Sequence, residues 1–191
     1  MGKRRIIIGM SGASGAPLAI ELLIQLKNIE NIETHLVISR GAELTIAQET
    51  DMSLEEVRVL ADVVYENHEI GAAVASGSFK TMGMIVIPCS MKTLAGIVSG
   101  YSDSLLLRAA DVVLKEHRKL VLVPRETPFS QIHLRNLYEA GQAGAIVIPP
   151  MLTYYNHPKT VEDATRHIVG KILDQFDIEG EAYIRWNGMK E

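Results

Sequence analysis

Four clusters of small, hydroxylic or charged residues each follow a run of aliphatic ones: Gly12-Ala13-Ser14-Gly15, Ser39, Cys89-Ser90-Met91-Lys92-Thr93 and Arg125-Glu126. Where a buried strand gives way to a helix, the first backbone N–H groups of the helix lack intrahelical partners and point at whatever lies above the sheet. Such a turn is an anion site. Gly12 and Gly15 permit torsions and close approaches that a Cβ forbids, while Ser14 can cap the helix or donate to a phosphate. The glycines fall at 9, 12 and 15, so the spacing is not G-x-G-x-x-G, and no Gly-Lys-Ser/Thr follows. A mononucleotide such as FMN therefore fits better than a dinucleotide or ATP. The alternative reading of the stretch alone, which the anion site outweighs, is a tight strand-to-helix turn that holds nothing.

Charged residues elsewhere allow a bland and a chemical reading. Arg108, Asp111 and Lys115 share one helix face, which in an isolated helix is a solvated salt-bridge stripe. Glu126 follows Arg125 at a strand end, where partial burial would raise its pKa and the arginine would lower it. Glu49 also reads as the end of an exposed helix. Cys89, after Pro88 at a strand end, reads as a small packed hydrophobe rather than a nucleophile. Ser14 lacks the G-x-S-x-G context of a hydrolase. The histidines at 35, 68, 117, 133, 157 and 167 are too scattered to suggest a metal site.

The elements that must position these residues are legible from periodicity. β-Branched runs at 6–9, 34–39, 84–88, 119–124 and 145–150 alternate with helical patterns. Continuous apolar strands of this kind are buried on both faces, so the class is α/β with a parallel sheet between helix layers. Helices are predicted over Pro17–Asn28, from Ser53, over Asp103–Lys115 and Ser130–Ala140, and from Thr160 through Leu173. Ser53-Leu54-Glu55-Glu56 and Thr160-Val161-Glu162-Asp163 have capping-box spacing, the second with Asp in place of the usual Glu or Gln. Residues 67–79, rich in Gly, Ala and Ser, read as a long and therefore functional loop, with a short strand near Val63–Glu66.

The chain has 191 residues, 47% of them hydrophobic and 22% charged, which suits one globular α/β domain. A net charge of −4 argues against a general nucleic-acid binder. One cysteine excludes an internal disulfide and suits a reducing cytosol. The apolar run after Lys3-Arg4-Arg5 is too short for a signal peptide or membrane span, so the expectation is a soluble, cytoplasmic protein. The tail, about 180–191, carries Trp186 and is expected to dock on a neighbouring subunit.

SGASG at 11–15, ETD at 49–51, ASGS at 75–78, PCSMKTLAGI at 88–97, RAADVVLKE at 108–116, LVPRETP at 122–128 and YNHP at 155–158 together resemble the UbiX-like flavin prenyltransferases. The similarity runs over nearly the whole chain and is greatest to members once labelled aromatic-acid decarboxylases. The resemblance implies a three-layer Rossmann-like or flavodoxin-like sheet of order 3-2-1-4-5-6, a homododecamer, and FMN at subunit interfaces. It also implies a reaction that joins a dimethylallyl group from dimethylallyl monophosphate to reduced FMN at N5 and C6. The product would serve a separate UbiD-type decarboxylase, so the older label describes a pathway rather than this chain's own chemistry.

Matched by motif, the resemblance implies that Gly12, Ala13, Ser14, Ser39, Ser90, Met91, Lys92, Thr93 and Arg125 contact FMN. Arg108, Lys115, Tyr155 and Lys171 would hold the prenyl phosphate together with Arg125. Ser14, Glu49, Arg125 and Glu126 would form the catalytic set, the two glutamates serving proton transfer. Some relatives carry an aromatic residue in the loop before ASGS, where this chain has Glu69-Ile70-Gly71-Ala72, and others have Arg where Lys171 stands.

The chemistry explains why cations must cluster. Ionising an allylic phosphate without a metal needs fixed positive charge on the departing oxygens, each well-placed donor contributing about 3 kcal/mol. Asp51, Asp103, Asp111 and Asp163 are dispersed, so the aspartate cluster that holds magnesium in diphosphate chemistry is not expected. Two other functions are compatible with such a chain: an FMN-dependent decarboxylase of the cysteine-decarboxylating type, or a non-catalytic accessory subunit that carries flavin. The first uses an early histidine and a PASANT-like stretch, where this chain has PCSMKT.

Overall fold

A computed structural model describes residues 2–181 and 183–189. Its single sheet consists of β1 (Arg4–Met10), β2 (Ile32–Ile38), β3 (Val63–Glu66), β4 (Gly83–Cys89), β5 (Lys119–Pro124) and β6 (Ile146–Val147). All pairings are parallel, in the order β3-β2-β1-β4-β5-β6. Successive side chains of a strand face opposite sides. Ile6, Ile8 and Met10 accordingly join one apolar layer and Ile7 the other.

The first layer is closed by α1 (Ala16–Lys27) and α7 (Val161–Asp174), the second by α4 (Met91–Ser99) and α5 (Leu105–Lys115). The remaining described helices are α2 (Arg40–Glu49), α3 (Leu54–Arg58) and α6 (Gln131–Gln142). Both expected capping boxes form, at Ser53 with Glu56 and at Thr160 with Asp163, and Ser130 makes a further one with His133. No described helix is long and apolar enough to cross a membrane.

Three expectations are corrected. The run at 145–150 forms a strand only at Ile146 and Val147, with the Ile148 N–H still donating to the Leu122 carbonyl at 2.8 Å, and pairing stops at Pro149 and Pro150, which have no N–H to donate. The stretch after Ser90, read as a polar cluster, is the first turn of a helix. The loop over 67–79 contains a 3₁₀ turn at Ala73–Ala75, and Arg118 pins it by donating to the carbonyls of Gly77 (2.6 Å) and Phe79 (2.7 Å).

The tail turns back on its own chain. Gly180 packs against Gly170 of α7, the Glu181 N–H donates to the Gln25 side chain at 3.0 Å, and Arg185 pairs with Asp174 at 2.5 Å.

Candidate active site

Strand order reverses between β1 and β4, and ligands of open parallel sheets bind beyond the carboxyl ends of strands at such a point. Three helices start there. The Ser39 hydroxyl accepts from the Ala42 N–H at 3.3 Å and starts α2. The Ser90 hydroxyl accepts from the Thr93 N–H at 3.2 Å, donates to the Thr93 hydroxyl at 3.0 Å, and starts α4. Buried Ser11 ties the two central strand ends together, donating to the Pro88 carbonyl at 2.9 Å and accepting from the Ser90 N–H at 2.8 Å.

At the start of α1 the expectation fails in an informative way. Ser14 does not cap this helix; Gly15 stands at the N-cap with φ of 128°. The Glu49 carboxylate takes the cap's place, accepting from the N–H groups of Gly15 at 2.8 Å and Ala16 at 2.9 Å. The anion at this helix end is the protein's own. The neighbouring starts of α2 and α4 are capped by the Ser39 and Ser90 hydroxyls and not by a carboxylate, which leaves them suited to an external anion.

A cleft of about 350 Å³ opens there, lined by Gly12, Ser39, Arg40, Ser90, Lys92 and Thr93. Its donors are hydroxyls, helix N-termini and two cations, which suits a phosphate, and its size falls among small-molecule sites. Gly12 has a packing reason to be glycine: a Cβ would stand 2.8 Å from Gly41 Cα in the first turn of α2. These features fit a phosphate-bearing mononucleotide such as FMN. Ala13 is half-buried, its N–H bonded to the Ser11 carbonyl at 2.9 Å, and Met91 packs against the second apolar layer.

Beyond Ser14, a second cleft of about 490 Å³ is lined by Ser14, Gly15, Glu49, Arg125, Leu152 and Ile168. Ile168 is also part of the wall of a third, of about 510 Å³, lined by Tyr155, His167, Lys171, Asp174, Arg185 and Trp186. Lys171 Nζ lies 3.7 Å from Asp174, so this pocket offers two cations facing one carboxylate. Tyr155 is the hub of an aromatic chain: Trp186 at 5.4 Å on one side and His167 at 5.5 Å on the other, with Tyr183 next at 5.2 Å from His167.

The remaining sequence candidates are placed apart. Glu126 is exposed, not partly buried, and accepts only from its neighbour's N–H, that of Thr127, at 3.0 Å. Arg108 pairs with Asp111 at 2.6 Å as the helix spacing predicts, but Lys115 pairs with Glu116 at 2.7 Å instead. Neither Arg108 nor Lys115 lines the three clefts. Cys89 is buried, its thiol pushed up to about 12 by desolvation, as expected for a packed hydrophobe. Among the described residues no group of three or more His, Cys, Asp or Glu is placed to hold a metal.

His167, Arg185 and the Glu49 cap were not legible in sequence as parts of a site. The cap joins residues 34 apart in the chain. Trp186 carried a signal, as the chain's one tryptophan.

The family model described as flavoprotein matches residues 1–176. A probable UbiX-like flavin prenyltransferase of Sedimentibacter hydroxybenzoicus is 56% identical, over 98% of this chain and 99% of its own. Among solved structures, a dodecameric FMN-dependent UbiX-like decarboxylase from Escherichia coli O157:H7 superposes with a TM-score of 0.94 at 54% identity, covering 97% of this chain and 100% of its own. AnUbiX, crystallised with FMN and dimethylallyl pyrophosphate, superposes with a TM-score of 0.96 at 52% identity, covering 98% and 100%.

Proposed function

The chain belongs to the flavoprotein family, on the branch of the UbiX-like flavin prenyltransferases, and from that membership we propose that it transfers a dimethylallyl group to reduced FMN. One geometric observation carries the assignment to these residues: Ser14, Glu49 and Arg125 line a cleft that shares Ile168 with the pocket of Tyr155 and Lys171, and Ser14 adjoins Gly12 of the mononucleotide cleft. An acceptor and a donor can thus lie side by side across one short wall.

FMN, when reduced and bound, supplies the electron-rich ring positions N5 and C6 that accept the prenyl group. The chain's residues do the rest. Ser39, Ser90, Lys92 and Thr93, with the helix starts behind them, hold the flavin phosphate beside Gly12 of the same cleft, and Ala13, Ser14 and Met91 are assigned to the rest of the flavin. Lys171 and the Tyr155 hydroxyl take the donor phosphate, their positive and donor character replacing a metal at the departing oxygens. Arg125 lines the cleft of Ser14, which shares Ile168 with the Tyr155 pocket, and is assigned to both flavin and donor. Glu49, held by two backbone donors, is the carboxylate nearest to Ser14 in the cleft wall and serves as proton acceptor. Glu126 is assigned the second proton transfer. Tyr155 and Trp186 furnish the aromatic wall that the 69–72 loop lacks.

Arg108 and Lys115 reach the donor phosphate only if α5 of a neighbouring copy closes the site. We assign them that role in a homododecamer, with the outer surface of the tail against a neighbour. The whole chain acts as one flavin-binding domain, in the cytoplasm, and hands its product to a UbiD-type decarboxylase. The donor is the monophosphate: one phosphate group needs no more cations than this cluster provides.

Purified protein incubated with FMN, dithionite and dimethylallyl monophosphate should release a flavin heavier by the prenyl group. Unchanged flavin mass with either the monophosphate or the diphosphate refutes the transferase reading and leaves the accessory-subunit one.

A further inference from the structure

The Tyr155 hydroxyl has one proton and two neighbours: the Ile184 backbone carbonyl at 3.3 Å and His167 Nε2 at 3.1 Å. A carbonyl can only accept, so both contacts are hydrogen bonds only if the phenol donates to Ile184 and the imidazole donates to the phenol. The other imidazole nitrogen agrees with this assignment. His167 is 4% exposed, and its Nδ1 is buried with no hydrogen-bond partner among the described residues. A proton on Nδ1 would be a buried donor with no acceptor, whereas a proton on Nε2 has the phenol oxygen to receive it. Burial also holds the imidazole pKa below its usual 6.5, so the ring is neutral near pH 7 and carries one N–H.

The ring has little freedom to turn away. It lies between Tyr155 and Tyr183, and Tyr183 fits there because Gly170, one turn along α7, has no Cβ to meet it. The tail that brings Tyr183 also brings the Ile184 carbonyl.

We infer that His167 is a positioning residue for the donor phosphate: as the Nε2–H tautomer it donates to the Tyr155 oxygen and so commits the phenol proton to an outside acceptor. In the free protein that acceptor is the Ile184 carbonyl. When a phosphate enters beside Lys171, the hydroxyl turns from the carbonyl to a phosphate oxygen without any change at His167. The imidazole does not touch the substrate. Its effect passes through one hydroxyl, and the inference rests on the prenyltransferase reading for the identity of that phosphate.

The test combines a double-mutant cycle with direct observation of the tautomer. With reduced FMN saturating, His167→Leu should raise KM for dimethylallyl monophosphate about tenfold, the worth of one hydrogen bond to a charged oxygen, and leave FMN affinity unchanged. His167→Gln, whose amide retains a donor, should recover most of that loss. In a Tyr155→Phe background His167→Leu should add nothing, since the hydroxyl it acts on is gone. An equal penalty in both backgrounds, or no recovery with glutamine, overturns the inference. Solid-state nitrogen NMR of histidine-labelled, FMN-loaded enzyme reads the tautomer with no substitution: a protonated Nε2 and bare Nδ1 are expected, and the reverse overturns the inference even if leucine at 167 prevents folding. Wild-type enzyme that prenylates no flavin removes the transferase reading, while the tautomer measurement still decides what His167 does to Tyr155.

Discussion

The Glu49 carboxylate bridges the end of one helix and the start of another: as the last residue of α2 it accepts from the Gly15 N–H at 2.8 Å, the N-cap of α1. One side chain therefore both completes a helix and faces the cleft of Ser14 and Arg125. A carboxylate held by backbone donors cannot swing, which suits a group that must meet a proton at a fixed place.

Substitution separates the two roles. Glu49→Gln keeps an oxygen to accept from the helix N-terminus but cannot take a proton, so prenylation should fall about 10²–10⁴-fold while FMN binding persists. Glu49→Ala should show the same loss of rate and in addition cost about 0.5–2 kcal/mol of stability, the worth of a helix cap. Single-turnover kinetics beside urea unfolding would read both; wild-type turnover in the glutamine variant would remove Glu49 from the chemistry.

Gly12 tests the link between packing and binding. Its missing Cβ leaves room for Gly41, and Gly12→Ala would place a methyl 2.8 Å from the Gly41 Cα. Backbone must move, at about 1–3 kcal/mol for such overpacking. Because α2 starts at Ser39 in the same cleft, the shift should also weaken FMN binding, measurable by quenching of flavin fluorescence.

Stability should fall as the solution is acidified through the histidine range. His35 is buried, bonded through Nε2 to Glu33 at 2.8 Å and through Nδ1 to the Tyr65 hydroxyl at 2.9 Å, with Arg5 and Asp62 also near. Desolvation holds its pKa below 6.5 although Glu33 pulls the other way, and desolvation does the same at His167. In both cases the unfolded chain binds a proton more readily than the folded one, so their contribution is complete above pH 6.5 and is lost as pH drops below it. Urea midpoints between pH 7.5 and 5.5 should decline, and decline less in His167→Gln. A flat wild-type profile would contradict the burial argument.

What the sequence disclosed follows from the range of the interactions involved. Strands such as 119–124 and caps such as Ser53 and Thr160 depend on neighbours within a few residues, and both were legible. Helix α2 buries only Ala42 and Ile46, so it carries little apolar periodicity to read. The first turn of α4 hid behind the hydroxyl and cation that make it useful. The Glu49 cap, the Gly12–Gly41 contact and the His167–Tyr155 bond each join segments that only the fold brings together. The family resemblance assigned Tyr155 and Lys171 to one phosphate, and both line one pocket, yet it gave no sign that the tail's own residues line that pocket beside them.

Lys171 is one of two cations in the Tyr155 pocket. Its Nζ lies 3.7 Å from Asp174, and Asp174 is already paired with Arg185 at 2.5 Å. The lysine is thus loosely engaged and free to turn toward an entering phosphate, while Arg185 is committed to anchoring the tail. Lys171→Ala should raise KM for dimethylallyl monophosphate about tenfold to a hundredfold, the range for one or two lost charge-assisted hydrogen bonds of about 1.5–3 kcal/mol. FMN affinity should not change, since Lys171 borders a different cleft. Lys171→Arg should restore binding, the guanidinium offering a bidentate grip that an ammonium cannot. Steady-state kinetics with varied donor, alongside flavin titrations, would check this; a matching loss of FMN affinity in the alanine variant would mean that the two clefts are not the separate subsites described.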